Sequence, residues 1–286
     1  MGDGPVIVAM KVVPLVVDVH PLTGAVEADP KLFGVSPADR SALSFGLRLA
    51  AQLGTTVTAV SIGGPQVEPA LREALSQGAA EALRVDVGEL GHLESGDLLR
   101  AQPTSAAVAA ALATIAGAAS AVVCGDYSLD RASGSVPLRC AHLLDWPVIA
   151  GASSLRWDGD GLEAIRRLER GALERTRVTL PAVVSVEAGV APEVRAPLQS
   201  LLASQTAEVS VRHVEVPPAH EARQVSTGPY RPRPPAADAP VGTRAHDRVV
   251  ELTGALTERS APERVVATPE AAAAAILAKL AAWGYR

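Results

Sequence analysis

Apolar, β-branched runs alternate with Ala- and Leu-rich stretches of helical period over the first two-thirds of the chain. The run Val6-Ile7-Val8-Ala9-Met10-Lys11-Val12-Val13 is almost continuously apolar and ends at Pro14, which has no N–H for a ladder. Such a run predicts a strand buried on both faces, as in a parallel sheet. Residues 15–34 predict a small hairpin or loop, with turn signals at Pro21-Leu22-Thr23-Gly24. A helix follows: Ser36 is a good N-cap, Pro37 suits the first helical position and Asp39 the third. Leu43, Leu47 and Ala50 keep helical spacing, and Gly54 stops it. A second strand, Val57-Thr58-Ala59-Val60-Ser61-Ile62, runs into Gly63-Gly64-Pro65. A helix over 67–77 carries Leu71, Ala74 and Leu75 on one face and ends at Gly78. A third strand is expected near 82–87, then an Ala-rich helix from Thr104/Ser105 to Gly117, then a fourth strand, Ala121-Val122-Val123-Cys124. This β-α-β-α-β-α-β order implies right-handed crossovers and a mostly parallel sheet, hence an α/β fold.

After Pro147 the pattern changes. The short segments 148–157, 162–169, 174–180 and 182–187, with turn signals at Asp158-Gly159-Asp160-Gly161 and near Gly171, predict a hairpin-rich second half, with one more strand over 209–216. Seven of the 22 prolines then lie between Pro217 and Pro240, which predicts an extended linker. In the tail Thr268 caps and Pro269 starts a helix over 270–283, with Ile276, Leu277, Leu280 and Trp283 on one side and Gly284 after it. The expected divisions are therefore 1–216, an α/β domain; 217–245, a Pro-rich linker; and 246–286, a C-terminal arm. An apolar helix beyond such a linker either returns to its own domain or docks on another chain.

Composition narrows the function classes. The 286 residues carry 26 Lys+Arg against 31 Asp+Glu, a formal charge of −5. An acidic balance without a long basic run argues against nucleic acid or an anionic membrane as main partner. Hydrophobic residues make up 48% and aromatics 3%, so the core is built from Ala, Val and Leu. No apolar run approaches the roughly 18 residues of a membrane span. The opening Met1-Gly2-Asp3-Gly4 lacks the basic and apolar regions of a signal peptide, and Cys124 and Cys140 form no disulfide framework. A cytoplasmic location is expected.

The most informative segment for chemistry is 125–137, Gly-Asp-Tyr-Ser-Leu-Asp-Arg-Ala-Ser-Gly-Ser-Val-Pro, which joins the fourth strand to a helix over 138–144. In an open parallel sheet ligands collect beyond the carboxyl ends of strands, where free amides and the helix dipole favour an anion such as phosphate. Ser133, Gly134 and Ser135 supply hydroxyls and unobstructed backbone, and Arg131 a fixed positive charge; an ordinary surface loop with a capping serine is the alternative. The six histidines form no HExxH and have no cysteine partner at metal-ligand spacing. No GxSxG elbow occurs. Cys124 and Cys140 suit small core positions. The basic run from Arg166 to Arg177 is interrupted by Glu169 and Glu174 and reads as a solvated or a partner-docking hairpin face.

These residues together resemble the β-subunit of electron transfer flavoproteins over nearly the whole chain. The opening Val8-Ala9-Met10-Lys11-Val12-Val13-Pro14 is similar to that family's first strand, and Ser36-Pro37-Ala38-Asp39 to its Asn-Pro-x-x segment, with Ser in place of Asn. Ser61-Ile62-Gly63 and Arg72-Glu73-Ala74-Leu75-Ser76-Gln77-Gly78-Ala79 resemble its second βα unit. Gly125 through Leu144-Asp145-Trp146-Pro147 keeps its spacing from nucleotide loop to LDWP, and Leu180-Pro181-Ala182-Val183-Val184 its LPAVV strand. The family's Asn-Gln-Thr-Gly ending is absent from the loop, which here closes Ser133-Gly134-Ser135-Val136-Pro137. That departure, with the Pro-rich segment, resembles the mycofactocin-associated branch.

The resemblance implies a flavodoxin-like, adenine nucleotide alpha hydrolase-like parallel sheet and a heterodimer with an α-subunit carrying most of the FAD. AMP, or a second FAD, would lie in this chain, contacted by Ala9, Ser36, Pro37, Ala38, Asp39 and Ile62, and by Gly125, Asp126, Asp130, Arg131, Ala132, Ser133, Gly134, Ser135 and Val136. Leu198 would anchor a partner dehydrogenase, and the C-terminal helix with Ile276, Leu280 and Trp283 would dock on the α-subunit. The implied function is electron carriage from dehydrogenases toward a quinone reductase, without bond-making chemistry. A nucleotide-sensing module similar to universal stress proteins is the alternative, and no nucleophile, base or metal constellation supports a stand-alone enzyme.

Overall fold

The computed structural model describes residues 4–20, 26–88, 103–216, 239–254 and 266–282. The first apolar run divides into two strands, correcting the expectation of one. β1 (Val6–Ala9) lies in the main sheet. The chain leaves that ladder after Met10, because the Lys11 amide goes to the Asp39 carboxylate instead of a neighbouring strand. β2 (Val12–Pro14) then begins a separate small sheet. A minimal hairpin of β3 (Asp18–Val19) and β4 (Val26–Glu27) follows, and β5 (Phe33–Val35) pairs antiparallel with β2.

Helix α1 (Pro37–Leu53) begins at Ser36, whose Oγ accepts the Asp39 N–H at 3.1 Å, and ends at Gly54 in the left-handed region. There follow β6 (Val57–Ile62), α2 (Glu68–Gln77), β7 (Glu81–Asp86), α3 (Ser105–Ala116), β8 (Ala121–Gly125) and α4 (Ser135–Leu144). The hairpin-rich half contains β9 (Val148–Trp157), β10 (Leu162–Arg167), β11 (Leu173–Val178) and β12 (Ala182–Val186). The chain then forms α5 (Leu198–Ser204), a helix its short apolar pattern did not signal, and β13 (Ser210–His213).

Nine strands form one sheet in the order β11-β10-β9-β12-β8-β1-β6-β7-β13. From β9 to β13 all neighbours are parallel, while β10 pairs antiparallel with both β9 and β11. The chain lays down β1, β6 and β7 toward one edge, then returns to place β8 on the other side of β1. The order therefore reverses between β1 and β8, and a crevice opens beyond their carboxyl ends.

Both faces of the central strands are buried. Val6, Val8, Val57 and Val123 pack with Leu43, Leu49 and Leu71 of α1 and α2. Ile7, Val60, Val122 and Val183 pack with Leu112 of α3 and Cys140 of α4 on the opposite face. This explains runs without alternation: each successive side chain enters one of two cores. Serines on α1 extend its influence, Ser41 accepting the Gly189 N–H at 2.8 Å and Ser44 the Val194 N–H at 3.3 Å, which pins the segment leading to α5. The basic hairpin is internally paired, with Arg166–Glu174 at 2.9 Å and Arg177–Asp158 at 3.1 Å.

The chain divides into two compact units, residues 1–230 and 231–286. Within the second, α6 (Ala245–Thr253) had no sequence signal strong enough to foresee, and α7 (Pro269–Ala282) starts where expected. Ile276 is exposed and Leu280 half-buried, while Trp283 and most of the Pro-rich stretch lie outside the described residues. Among the described residues no helix is long and apolar enough to cross a membrane.

Close packing of α1 on β1 depends on Gly46, where a Cβ would stand 2.5 Å from Val8 Cγ2. Alanine favours a helix by about 1 kcal/mol over glycine, but overpacking a buried strand costs about 1–3 kcal/mol. Gly46→Ala is therefore expected to lower stability in urea unfolding. An unchanged or raised midpoint would show that α1 lifts off β1 freely.

Candidate functional site

The crevice beyond β1, β6 and β8 is organised by a buried carboxylate. Ser36 caps α1 and so fixes the start of the helix, which directs Asp39 inward between two strand ends. Asp39 Oδ2 accepts the Lys11 N–H at 3.1 Å, and Oδ1 accepts the Gly125 N–H at 2.9 Å. Gly125 is required by this approach, because a Cβ there would stand 2.6 Å from Asp39 Oδ1. Burial pushes the Asp39 carboxyl up to about 6, against the opposing pull of the Lys11 and Gly125 amides, the Ser36 hydroxyl and the Lys11 charge.

Above this anchor runs the loop 126–134. Its first amide, of Asp126, donates to the Val186 carbonyl at 3.0 Å, and the Ala132 amide closes a turn on the Ser128 carbonyl at 2.7 Å. Lys11 Nζ donates to both Asp130 oxygens, at 2.8 and 2.6 Å. Burial raises the Asp130 carboxyl, but hydrogen bonds from Lys11 and Ser128 with the Lys11 charge outweigh it and hold it below the ordinary carboxylate value. Burial raises the Asp126 carboxyl. The loop ends at Gly134 with φ +56°, where a Cβ would stand 2.8 Å from the Asp126 carbonyl oxygen. Gly134 is the N-cap of α4 and provides no side-chain cap, so the amides of Ser135 and Val136, ahead of Pro137, are open to an anion in the cleft.

The rest of the lining is apolar: Ala9 and Met10, Val60 and Ile62 of β6, Pro103, Val108 and Leu112 on the α3 side, and Val136. Ser105, Ser128, Ser133, Ser135, Tyr127 and Arg131 add polar groups to the lining. An apolar slot beside an uncapped helix N-terminus suits a flat heterocycle joined to phosphate. The amides of Ser135 and Val136 beside this slot fit the phosphate of such a ligand.

Of the residues expected to contact a nucleotide, Ala9, Asp39, Ile62, Gly125, Asp126, Arg131, Ser133, Gly134, Ser135 and Val136 line this cleft. Asp130 reaches it through Lys11. Ser36, Pro37 and Ala38 instead line an adjoining groove with Leu129, Arg167 and Glu187. Ala132 takes a positive φ of 50° in the loop bend. Sequence reasoning missed Lys11, although a single charge inside an apolar run was a signal; it also missed Val60, Val108 and Leu112, whose facing depends on how α3 crosses the sheet. Helix α4 begins at Ser135, not 138, because the left-handed Gly134 lets the loop turn directly into it.

The cysteines are buried, and burial raises both thiols, Cys140 to about 12; protonated thiols are poor nucleophiles. Among the described residues no group of His, Cys, Asp and Glu is arranged to hold a metal ion. Leu198 opens α5 and is 70% exposed, with Leu201 and Leu202 exposed beside it. The helix thus presents an apolar stripe at its surface.

The raised Asp39 value has a consequence for stability. Ionised Asp39 costs folding free energy above pH about 6; that cost shrinks as pH falls toward the 3.8 of an unfolded aspartate and is absent below it. An Asp39→Asn amide does not titrate. Urea midpoints measured from pH 7 to 4 should therefore show wild type gaining on the variant as pH falls, on the order of 3 kcal/mol across the window. A constant difference would mean that the carboxyl is not held in this state.

Comparison with known proteins agrees with the architecture. The family model for the electron transfer flavoprotein domain matches residues 27–218. The chain is 29% identical over 170 residues to the electron transfer flavoprotein subunit beta of Bacillus subtilis, covering 59% of this chain and 62% of that one. It is 31% identical over 158 residues to the corresponding subunit of Mycobacterium bovis, covering 54% and 56%, and 32% identical over 133 residues to the human subunit, covering 46% and 49%. The matches thus span about half to three-fifths of these relatives. The parallel sheet, the loop after β8 and the match over 27–218 together assign this chain to the electron transfer flavoprotein family.

Proposed function

We propose that this chain is a β-type subunit of a heterodimeric electron transfer flavoprotein, holding AMP in the crevice beyond β1, β6 and β8. The observation that carries this reading is the uncapped N-terminus of α4 facing an apolar slot at the point where the strand order reverses. Val60, Ile62, Val108 and Leu112 exclude water from one face of the base, and the first-turn amides of α4 meet the phosphate. Gly125 and Gly134 let the loop pack closely on Asp39 and on the Asp126 carbonyl, which shapes the wall of the crevice. AMP binds without redox chemistry, and a flavin on the partner subunit supplies the electron transfer. A nucleotide that binds only the folded chain stabilises it by mass action, about 2.7 kcal/mol at a hundred times its Kd.

The same reading assigns 217–245 as linker and 246–286 as an arm that docks on an α-type subunit through Ile276, Leu280 and Trp283. Leu198 is the anchor for a partner dehydrogenase, supported by its exposure. Electrons pass from that dehydrogenase toward a quinone reductase. The departure from Asn-Gln-Thr-Gly and the Pro-rich segment support the mycofactocin-associated branch.

Purification with the flavin-bearing subunit tests the proposal. Acid extraction should release one adenine nucleotide per heterodimer besides the flavin, identified by mass. Gly134→Val, which places a branched side chain at positive φ against the Asp126 carbonyl, should lose at least tenfold in AMP affinity by calorimetry while retaining the helical circular-dichroism signal. A homodimer that binds ATP and recruits no flavin-bearing chain would favour the sensor reading instead.

A further inference from the structure

Lys11 lines the cleft and carries the charge expected of a phosphate ligand, yet it is already committed. Its Nζ meets both oxygens of Asp130, at 2.8 and 2.6 Å, and the Asp130 side chain is only 9% exposed. The main chain of the same lysine donates to Asp39, which in turn accepts the Gly125 amide at the root of the loop. A closed circuit results. It runs from the end of β1 through Lys11 Nζ to Asp130 in mid-loop, back along the loop to Gly125, and through Asp39 to Lys11 again. The loop contributes Asp126, Arg131 and Gly134 to the cleft. Its far end continues into α4, and the Lys11–Asp130 bridge ties its middle to the end of β1.

We infer that Lys11 and Asp130 form a latch that holds the loop 126–134 over the nucleotide cleft and sets the rate of nucleotide release. This inference rests on the reading of the cleft as a nucleotide site. Both are positioning residues: the bidentate bridge occupies the lysine charge, leaving the anion to the amides of α4. Exchange of nucleotide then requires the bridge to open. Lys11 stands at the end of β1 and Asp130 within the loop, so removal of either breaks the bridge.

The test uses the full chain loaded with the fluorescent probe mant-AMP and chased with unlabelled AMP in stopped flow. Lys11→Met, Asp130→Asn and the double variant should each release the probe about tenfold faster, as expected for loss of one charge-assisted bridge. The double variant should release the probe as fast as the singles, and its association rate should stay within about twofold of wild type, because it keeps the zero net charge of the bridge. Hydrogen exchange on the same proteins without nucleotide should show faster exchange over 126–134, with β1 and α1 unchanged. Tighter binding by Asp130→Asn, or loss confined to the association rate of Lys11→Met, would make Lys11 an anion ligand and overturn the latch. Additive singles or unaltered loop exchange would overturn it equally. If wild type fails to bind mant-AMP, the nucleotide reading falls, and loop exchange in the unliganded chain decides whether the bridge restrains the loop.

Discussion

Asp39 joins three pieces of chain that the sequence keeps far apart. Its two oxygens take the amide of Lys11, where β1 ends, and that of Gly125, where β8 ends, while Ser36 fixes the helix that carries it. A parallel sheet leaves strand-end amides without ladder partners at its carboxyl edge, and such buried donors must be satisfied. One ionised side chain supplies both acceptors. The cost is burial of a charge, visible in a carboxyl raised to about 6. The benefit is that the crevice between β1 and β8 is held at a fixed width.

The chemistry of the cleft follows from that framework. With the root of the loop fixed at Gly125, the bend through Ala132 and Gly134 turns it directly into α4 and exposes the first amides of that helix. The sheet supplies the apolar wall from residues whose alternate neighbours belong to the opposite core. Membership of the electron transfer flavoprotein family gives this arrangement its context. The residues themselves place the Ser135 and Val136 amides, at the start of an uncapped helix, beside that wall.

The far edge of the sheet is managed by charge. Arg156–Glu163, Arg166–Glu174 and Arg177–Asp158 are bridges across β9, β10 and β11 and their turn. At the surface such pairs add little stability, and their value lies elsewhere. An edge strand carrying alternating charges discourages pairing with another chain. The basic run in the sequence is thus a largely self-neutralising ladder.

Much of the fold was legible along the chain. Ser36-Pro37 and Gly54 bounded α1, Thr104 and Gly78 marked other helix ends, and unbroken valine-rich runs signalled strands covered on both sides, because capping and strand burial are local or pattern-level consequences of side-chain chemistry. The succession of β8, a glycine-bearing loop and α4 was legible because a strand run, glycine and serine turn residues and a helical pattern follow one another directly. What the chain could not disclose is that Met10-Lys11 leaves the ladder, that α3 turns Val108 and Leu112 toward the cleft, or that Lys11 and Asp130 meet. Those depend on long-range geometry. Lys11 and Asp130 are separated by 119 positions, and only the return of β8 to the side of β1 brings their backbones within reach of one ion pair.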